Sequence, residues 1–239
     1  MRGLVAGVLG VIAIAAVAGA CGGSAKATDD GGVGPTCGSP LAPGAGEATY
    51  YDATGAGNCS FAPSPDDLLV AAMNVIDYGT AAWCGGCIEV TGPTGVVTVR
   101  IVDKCPGCAK GDVDLSREAF ELISPLSAGR VPITWREVAC NVSGPVAYQH
   151  KDGTSEFYTA IQIRNHRYPI AKLESRDANG AWEAIPRVDY NYFVPADGLG
   201  PGPYALHVTD TRGHVLEDLA IPFGELETNP GAAQIPVCP

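Results

Sequence analysis

The sequence predicts a mainly β chain in two parts: a disulfide-dense first half with short helices, then an all-β second half. Three observations carry that expectation. Short runs rich in Val, Ile, Thr and aromatic residues recur between Gly, Pro, Asn and Asp turns from Cys37 onward. Of the 9 cysteines, all but Cys21 and Cys238 fall between Cys37 and Val142. After Ser143-Gly144-Pro145 the helix signals stop while strand signals continue.

Residues 1–20, MRGLVAGVLGVIAIAAVAGA, place one Arg ahead of an uncharged stretch, the layout of a secretory signal peptide. The alternative, an uncleaved membrane helix, needs about 20 apolar residues, and this stretch is rich in Gly and Ala. Ala18-Gly19-Ala20 set small residues before Cys21, which resembles the lipid-acceptor cysteine of a bacterial lipobox. Residues 22–36 lack apolar periodicity and read as a flexible tether. The expectation is a secreted chain, lipid-anchored at the bacterial cell envelope through Cys21, with a membrane contact only there.

Removing Cys21 leaves an even number of cysteines, as suits an exported, oxidised protein. The rival reading is zinc, because CGGC at 84–87 and CPGC at 105–108 have the spacing of a four-cysteine ribbon. Zinc needs thiolates, which an oxidising exterior removes; the expectation is therefore no metal and no cofactor. A net charge of -11 argues against nucleic acid or anionic polymers as partners and favours a neutral ligand.

In the first half, 37–142, two helices are expected. SPDDLLVAAMN has Ser64 to cap, Pro65 at the first helical position, and Asp66 and Asp67 to complement the dipole. SREAFELI has Ser116 as cap, with Ala119, Phe120 and Ile123 at helical spacing. Between them, IEVTGPTGVVTVRIVDK reads as two strands and a turn, with Val97, Val99 and Ile101 alternating against Thr98 and Arg100. In the second half, 145–239, FYTAIQIR, IAKLESRD, AWEAIP, YALHVTD and HVLEDLAI read as strands. Asn179-Gly180, Pro201-Gly202-Pro203 and Arg212-Gly213 supply the turns of a compact sandwich.

With GEATYYDATGAGNCSF, AAWCGGCIEVTGP, VTVRIVDKCPGC and DVDLSREAF, the first half resembles the six-stranded double-psi β-barrel of expansins. With DGTSEFYTAIQIRNHRYPIAKLE, DYNYFV and GPYALHVTDTRGHVL, the second resembles the immunoglobulin-like, carbohydrate-binding β-sandwich of bacterial expansins. That resemblance implies that Thr49, Asp103 and Asp114 line the barrel groove and are needed for wall loosening. It implies that Phe157, Tyr158 and Tyr190 form an aromatic row that stacks on glucan, with Lys151 a basic neighbour. Two positions depart from the family pattern: the adjacent aromatic pair is Phe-Tyr rather than Trp-Trp, and the residue two after Asp103 is Cys105 where some relatives have an aromatic. The family's barrel staples imply Cys59–Cys84 and Cys87–Cys140, with Cys105–Cys108 closing the CPGC turn. Cys37 and Cys238 then remain and are expected to pair with each other, the alternative being that they stay apart with Cys37 in the tether.

A competing role for Asp114 is support of the following helix dipole, worth under about 1 kcal/mol. Inverting hydrolysis needs a second carboxylate about 6.5–9.5 Å away to activate water. Asp52 reads as a turn residue and Asp112 as a solvated loop residue, while Asp103 is better cast as a partner of Asp114. None of these is a confident base, so the chain is expected not to be an enzyme. Phe157 and Tyr158 are consecutive, so on a flat strand they would face opposite ways; both reach a ligand only at a bulge or ahead of the strand proper. Trp182 is expected in the core.

The function implied is non-hydrolytic binding and loosening of cell-wall polysaccharide (cellulose, xyloglucan or peptidoglycan) by a monomer. The alternatives are a lytic transglycosylase of the rare-lipoprotein-A kind, acting on peptidoglycan, and a pure carbohydrate-binding protein.

Overall fold

A computed structural model describes residues 37–239, so the leader, Cys21 and the tether lie outside the described residues. No helix among the described residues is long and apolar enough to cross a membrane.

Strands β1 (Gly44–Tyr51), β2 (Val70–Asn74), β3 (Cys87–Thr91), β4 (Val96–Cys105), β5 (Val113–Ser116) and β6 (Val131–Val138) close into a barrel in the order β1-β5-β2-β4-β3-β6. Its parallel pairs, β1 with β5 and β2 with β4, join strands distant in sequence and give the double-psi barrel. The alternation in VVTVRIVD is realised, because Val97, Val99 and Ile101 are buried in the barrel while Thr98 is exposed. Trp83 and Trp135 meet edge to face at 5.4 Å, and the Trp135 indole N–H donates to the Gly111 carbonyl at 2.8 Å.

The helix expected over SPDDLLVAAMN does not form. Ser64 to Asp67 make a turn and Val70–Asn74 become β2, flanked by β5 and β4. A short apolar run buried on both faces carries no period that separates helix from strand, and here pairing on both edges decided it. A short helix, α1 (Val75–Tyr78), follows instead, its first turn capped by the Asn74 side chain accepting from the Ile76 and Asp77 N–H groups. The second helix forms as expected: in α2 (Arg117–Glu121) the Ser116 hydroxyl accepts from the Ala119 N–H at 3.1 Å, and Ala119, Phe120 and Ile123 are buried.

The second half is a sandwich of two sheets. One has the order β10-β9-β11-β12, from β9 (Ile170–Arg176), β10 (Trp182–Ile185), β11 (Tyr204–Asp210) and β12 (Val215–Ile221). The other has the order β13-β7-β8, from β7 (Ala147–His150), β8 (Ile161–Arg164) and β13 (Thr228–Pro230). Tyr148, Ile161, Ile163, Leu173, Leu206 and Val208 fill the space between them. Gly180, at φ +87, takes the left-handed turn between β9 and β10. Trp182 is not in this core. It lies half-exposed on the four-stranded sheet, with its ring stacked on His207 at 3.4 Å, because its place in β10 points away from the packed face.

Among the described residues, four disulfides join Cys37 to Cys238, Cys59 to Cys84, Cys87 to Cys140 and Cys105 to Cys108. The two CxxC motifs therefore have their sulfurs turned to different partners rather than toward one ribbon site. Intact mass of the purified protein should fall short of the fully reduced value by eight hydrogens, two per bond; a smaller deficit would expose an unmade bridge.

Candidate functional site

Pairing register builds the groove. On β1 Thr49 lies opposite Asp114 of β5; on β2 Ala72 lies opposite Asp114 on one side and Asp103 of β4 on the other. Residues opposite one another share a sheet face, so Thr49, Asp114, Ala72 and Asp103 form a row across four strands, with the small Ala72 as its low point. Two strand spacings separate the backbones of Asp103 and Asp114, about 10 Å.

The structure brings Thr49 and Asp114 into contact, the hydroxyl donating to Asp114 Oδ1 at 2.6 Å. Burial raises the Asp114 pKa above the usual carboxylate value; the Thr49 hydrogen bond and Arg130 oppose the rise, and Asp103 adds to it. Asp103 is held differently. Its Oδ1 accepts from the Asn58 N–H at 2.6 Å and the Lys104 N–H at 2.8 Å, and its influence on Asp114 is through charge. Gly57 lies against it so closely that a Cβ there would overlap the Asp103 carboxyl carbon. Of the other candidates, Asp52 is exposed beside Arg117 at 3.7 Å. Asp112 is not solvated, as had been expected, but buried, accepting from the Glu47 N–H at 2.8 Å and the Ala109 N–H at 3.1 Å; it pins the β1 edge to the loop before β5.

The aromatic residues come from two loops of the sandwich. Ser155 and Tyr158 exchange backbone hydrogen bonds at 2.7 and 3.2 Å, so Phe157 and Tyr158 sit on a tight turn ahead of β8. That position frees both from strand alternation, leaving Phe157 77% and Tyr158 40% exposed. Lys151 stands at the base of the same hairpin, its N–H donating to the Ala160 carbonyl. Tyr190 belongs to the loop before β11, and burial and the neighbouring Tyr158 raise its pKa. Next to Phe157, a cleft of about 470 Å³ is walled by Phe223, Pro201, Glu156 and Glu225.

Groove and aromatic row are joined by residues that the motifs did not single out. Asn58 donates through its backbone to Asp103 and through its side chain to the Asp189 carbonyl at 2.7 Å. The Tyr78 hydroxyl donates to the same carbonyl at 2.7 Å, its pKa raised to about 12 chiefly by burial. Lys104 pairs with the Asp189 carboxylate at 3.3 Å, and Ser60 Oγ donates to the Tyr190 carbonyl at 2.9 Å. Tyr51, two residues beyond Thr49 and so on its face, has a buried hydroxyl and a pKa raised by burial and by both Asp103 and Asp114. Its signal was the alternation within GEATYY; Asn58, in a glycine-rich loop, gave none.

A double-psi barrel with an acid row, hydrogen-bonded to a sandwich that carries aromatics, defines a two-domain polysaccharide-binding class. Residues 70–135 match a family model described as lytic transglycolase. The chain is 38% identical over 204 residues to Expansin-YoaJ of Bacillus subtilis, covering 80% of this chain and 86% of that protein. It is 31% identical over 181 residues to Expansin-like protein 2 of Dictyostelium discoideum, covering 71% of this chain and 44% of that one. The crystal structure of an expansin from Clavibacter michiganensis superposes with a TM-score of 0.75 at 33% identity, over 82% of this chain and 100% of that one. A variant of that expansin, solved in complex with cellohexaose, superposes equally well at 32% identity. The chain belongs to the expansin family, whose function is non-hydrolytic binding and loosening of polysaccharide.

Proposed function

We propose that the protein holds one stretch of a neutral β-glucan in the barrel groove, through Thr49, Asp103 and Asp114, and another on Phe157, Tyr158 and Tyr190, and slips chains apart without cutting them. The observation that carries this reading is the Asn58 link, which ties the groove carboxylate Asp103 to the segment bearing Tyr190. Movement of one gripped stretch is thereby transmitted to the other. Ring stacking needs no charge on the ligand, in keeping with a chain of net charge -11. Secretion, anchoring through Cys21 and action as a monomer belong to the same proposal, as do the domain limits 37–142 and 145–239.

Hydrolysis is disfavoured by the state of the second carboxylate. An inverting mechanism needs a second carboxylate placed to activate water, and Asp103 Oδ1, accepting from the Asn58 and Lys104 N–H groups, ties that carboxylate to the Asn58 loop as a structural partner. The second reading, a lytic transglycosylase, is favoured by the family-model match over 70–135 and needs only one acid, for which Asp114 with its raised pKa would serve. Incubation with cellulose and with peptidoglycan, reading bound protein, soluble sugar and mechanical creep, separates the two. Creep without soluble sugar is expected; peptidoglycan fragments released by the parent and absent with Asp114→Asn would replace this reading by the second.

Tyr158→Ala and Tyr190→Ala should each weaken glucan binding by about 1 kcal/mol, the scale of aromatic contacts beyond area burial. Pull-down isotherms that overlay the parent's would place the binding face elsewhere.

A further inference from the structure

On the far side of the sandwich turn, Cys37 Sγ lies 3.5 Å and Cys238 Sγ 4.0 Å from His214 Nε2. The ligand atoms of the three residues all fall within 4.8 Å of one another. His214 is 7% and Asp210 2% exposed. Asp210 Oδ2 binds His214 Nδ1 at 2.8 Å, and Oδ1 accepts from the His214 and Arg212 N–H groups. A carboxylate on Nδ1 holds the proton there and turns the Nε2 lone pair toward the sulfurs. That is the outer partner which metal-binding histidines require, and glycan binding gives it no role.

We propose that Cys37, Cys238 and His214 are a latent metal site, which takes a zinc-class divalent cation once a dithiol has opened the Cys37–Cys238 bond. In that step the dithiol gives up two electrons and two protons, becoming a disulfide, and Cys37 and Cys238 each end as a thiol; cation binding then releases both thiol protons. Zn–S of about 2.3 Å and Zn–N of about 2.0 Å place tetrahedral ligand atoms about 3.5 Å apart. Cys37 Sγ already stands at that distance from His214 Nε2 and Cys238 Sγ at 4.0 Å, so the sulfurs must separate from each other and Cys238 Sγ must close slightly on the imidazole. The backbones stay in place without the bond: the Gly38 N–H donates to the Arg212 carbonyl at 2.7 Å, and the Cys238 N–H to the Tyr168 hydroxyl at 2.9 Å. The cation then clips Cys37 to Cys238 when the covalent clip is gone, leaving one coordination position open. Cys59–Cys84 and Cys87–Cys140, all four sulfurs buried, are shielded from the same reductant.

The test uses the full mature chain, reduced anaerobically with limiting dithiol, desalted, and titrated with Co²⁺ as the probe. One cobalt per chain is expected, with thiolate charge-transfer absorption in the near ultraviolet, tetrahedral bands in the visible, and displacement by Zn²⁺. Cys105→Ser/Cys108→Ser should leave the spectrum unchanged, since that half-exposed pair is not part of the site. His214→Gln should abolish the tetrahedral bands, and Asp210→Asn should weaken cobalt about 10- to 100-fold, as loss of an outer partner does. Circular dichroism reports folding throughout. A reduced parent without thiolate–cobalt absorption, whether folded or unfolded, overturns the proposal, as does a spectrum lost with Cys105→Ser/Cys108→Ser or indifferent to His214→Gln.

Discussion

Asp114→Asn should abolish wall extension and leave cellulose binding close to that of the parent. The change is nearly isosteric, and the new amide oxygen still accepts from Thr49 Oγ1, so the local geometry survives. What disappears is the negative charge in the groove and the ability to exchange a proton. The aromatic row, on the other domain, is untouched. A raised pKa in the folded state means that ionising Asp114 costs more there than in the unfolded chain. That stability is fully present below the unfolded carboxylate pKa and is lost as pH rises through the folded value. At neutral pH the asparagine variant should therefore unfold no more easily than the parent, and its midpoint should be the less sensitive of the two to pH between the two pKa values. Lost creep together with an unchanged or higher unfolding midpoint assigns the effect to the groove. Unchanged creep would remove Asp114 from the function.

Pattern and register made different parts of the molecule legible. Val97, Val99 and Ile101 alternate because β4 has one face in the barrel core, and α2 announces itself through Ser116 and its apolar spacing. β2 was misread because Val70, Ala71, Ala72 and Met73 are all buried, which erases the period a half-exposed strand would show. The same limit applies to charge. Nothing in GDVDLS separates Asp112, buried on two backbone N–H groups, from Asp114, which faces the groove; the start of β5 at Val113, which leaves Asp112 in the loop before it, and the pairing of Asp114 with β1 do. Asn58 was invisible for another reason. Its bond to Asp103 is made by a backbone N–H that any residue except proline supplies, and its side chain finds a use only once Tyr78 and Asp189 are brought beside it.

Replacing both ends of the longest crosslink, Cys37→Ser/Cys238→Ser, lowers unfolding stability by about 5 kcal/mol in the chain-entropy model, since the bond spans a sequence separation of 201. The loss acts on the unfolded chain, which regains the freedom of the segment between the two cysteines, so the native fold should persist at room temperature on the other three disulfides and both cores. The N-terminal strap has other ties. Arg212 donates to the Gly38 carbonyl at 2.8 Å and pairs at 2.8 Å with Glu137, a barrel residue whose Oε2 accepts from the Leu41 N–H. These contacts hold the strap across both domains while the protein is folded and contribute nothing once it unfolds. Denaturant titration should thus show a lower midpoint for the variant, while the native circular dichroism spectrum and glucan binding stay as in the parent. A midpoint within error of the parent's would mean that the unfolded chain keeps its ends together without the bond. Lost glucan binding in a folded variant would mean that the crosslink also sets the angle between groove and aromatic row.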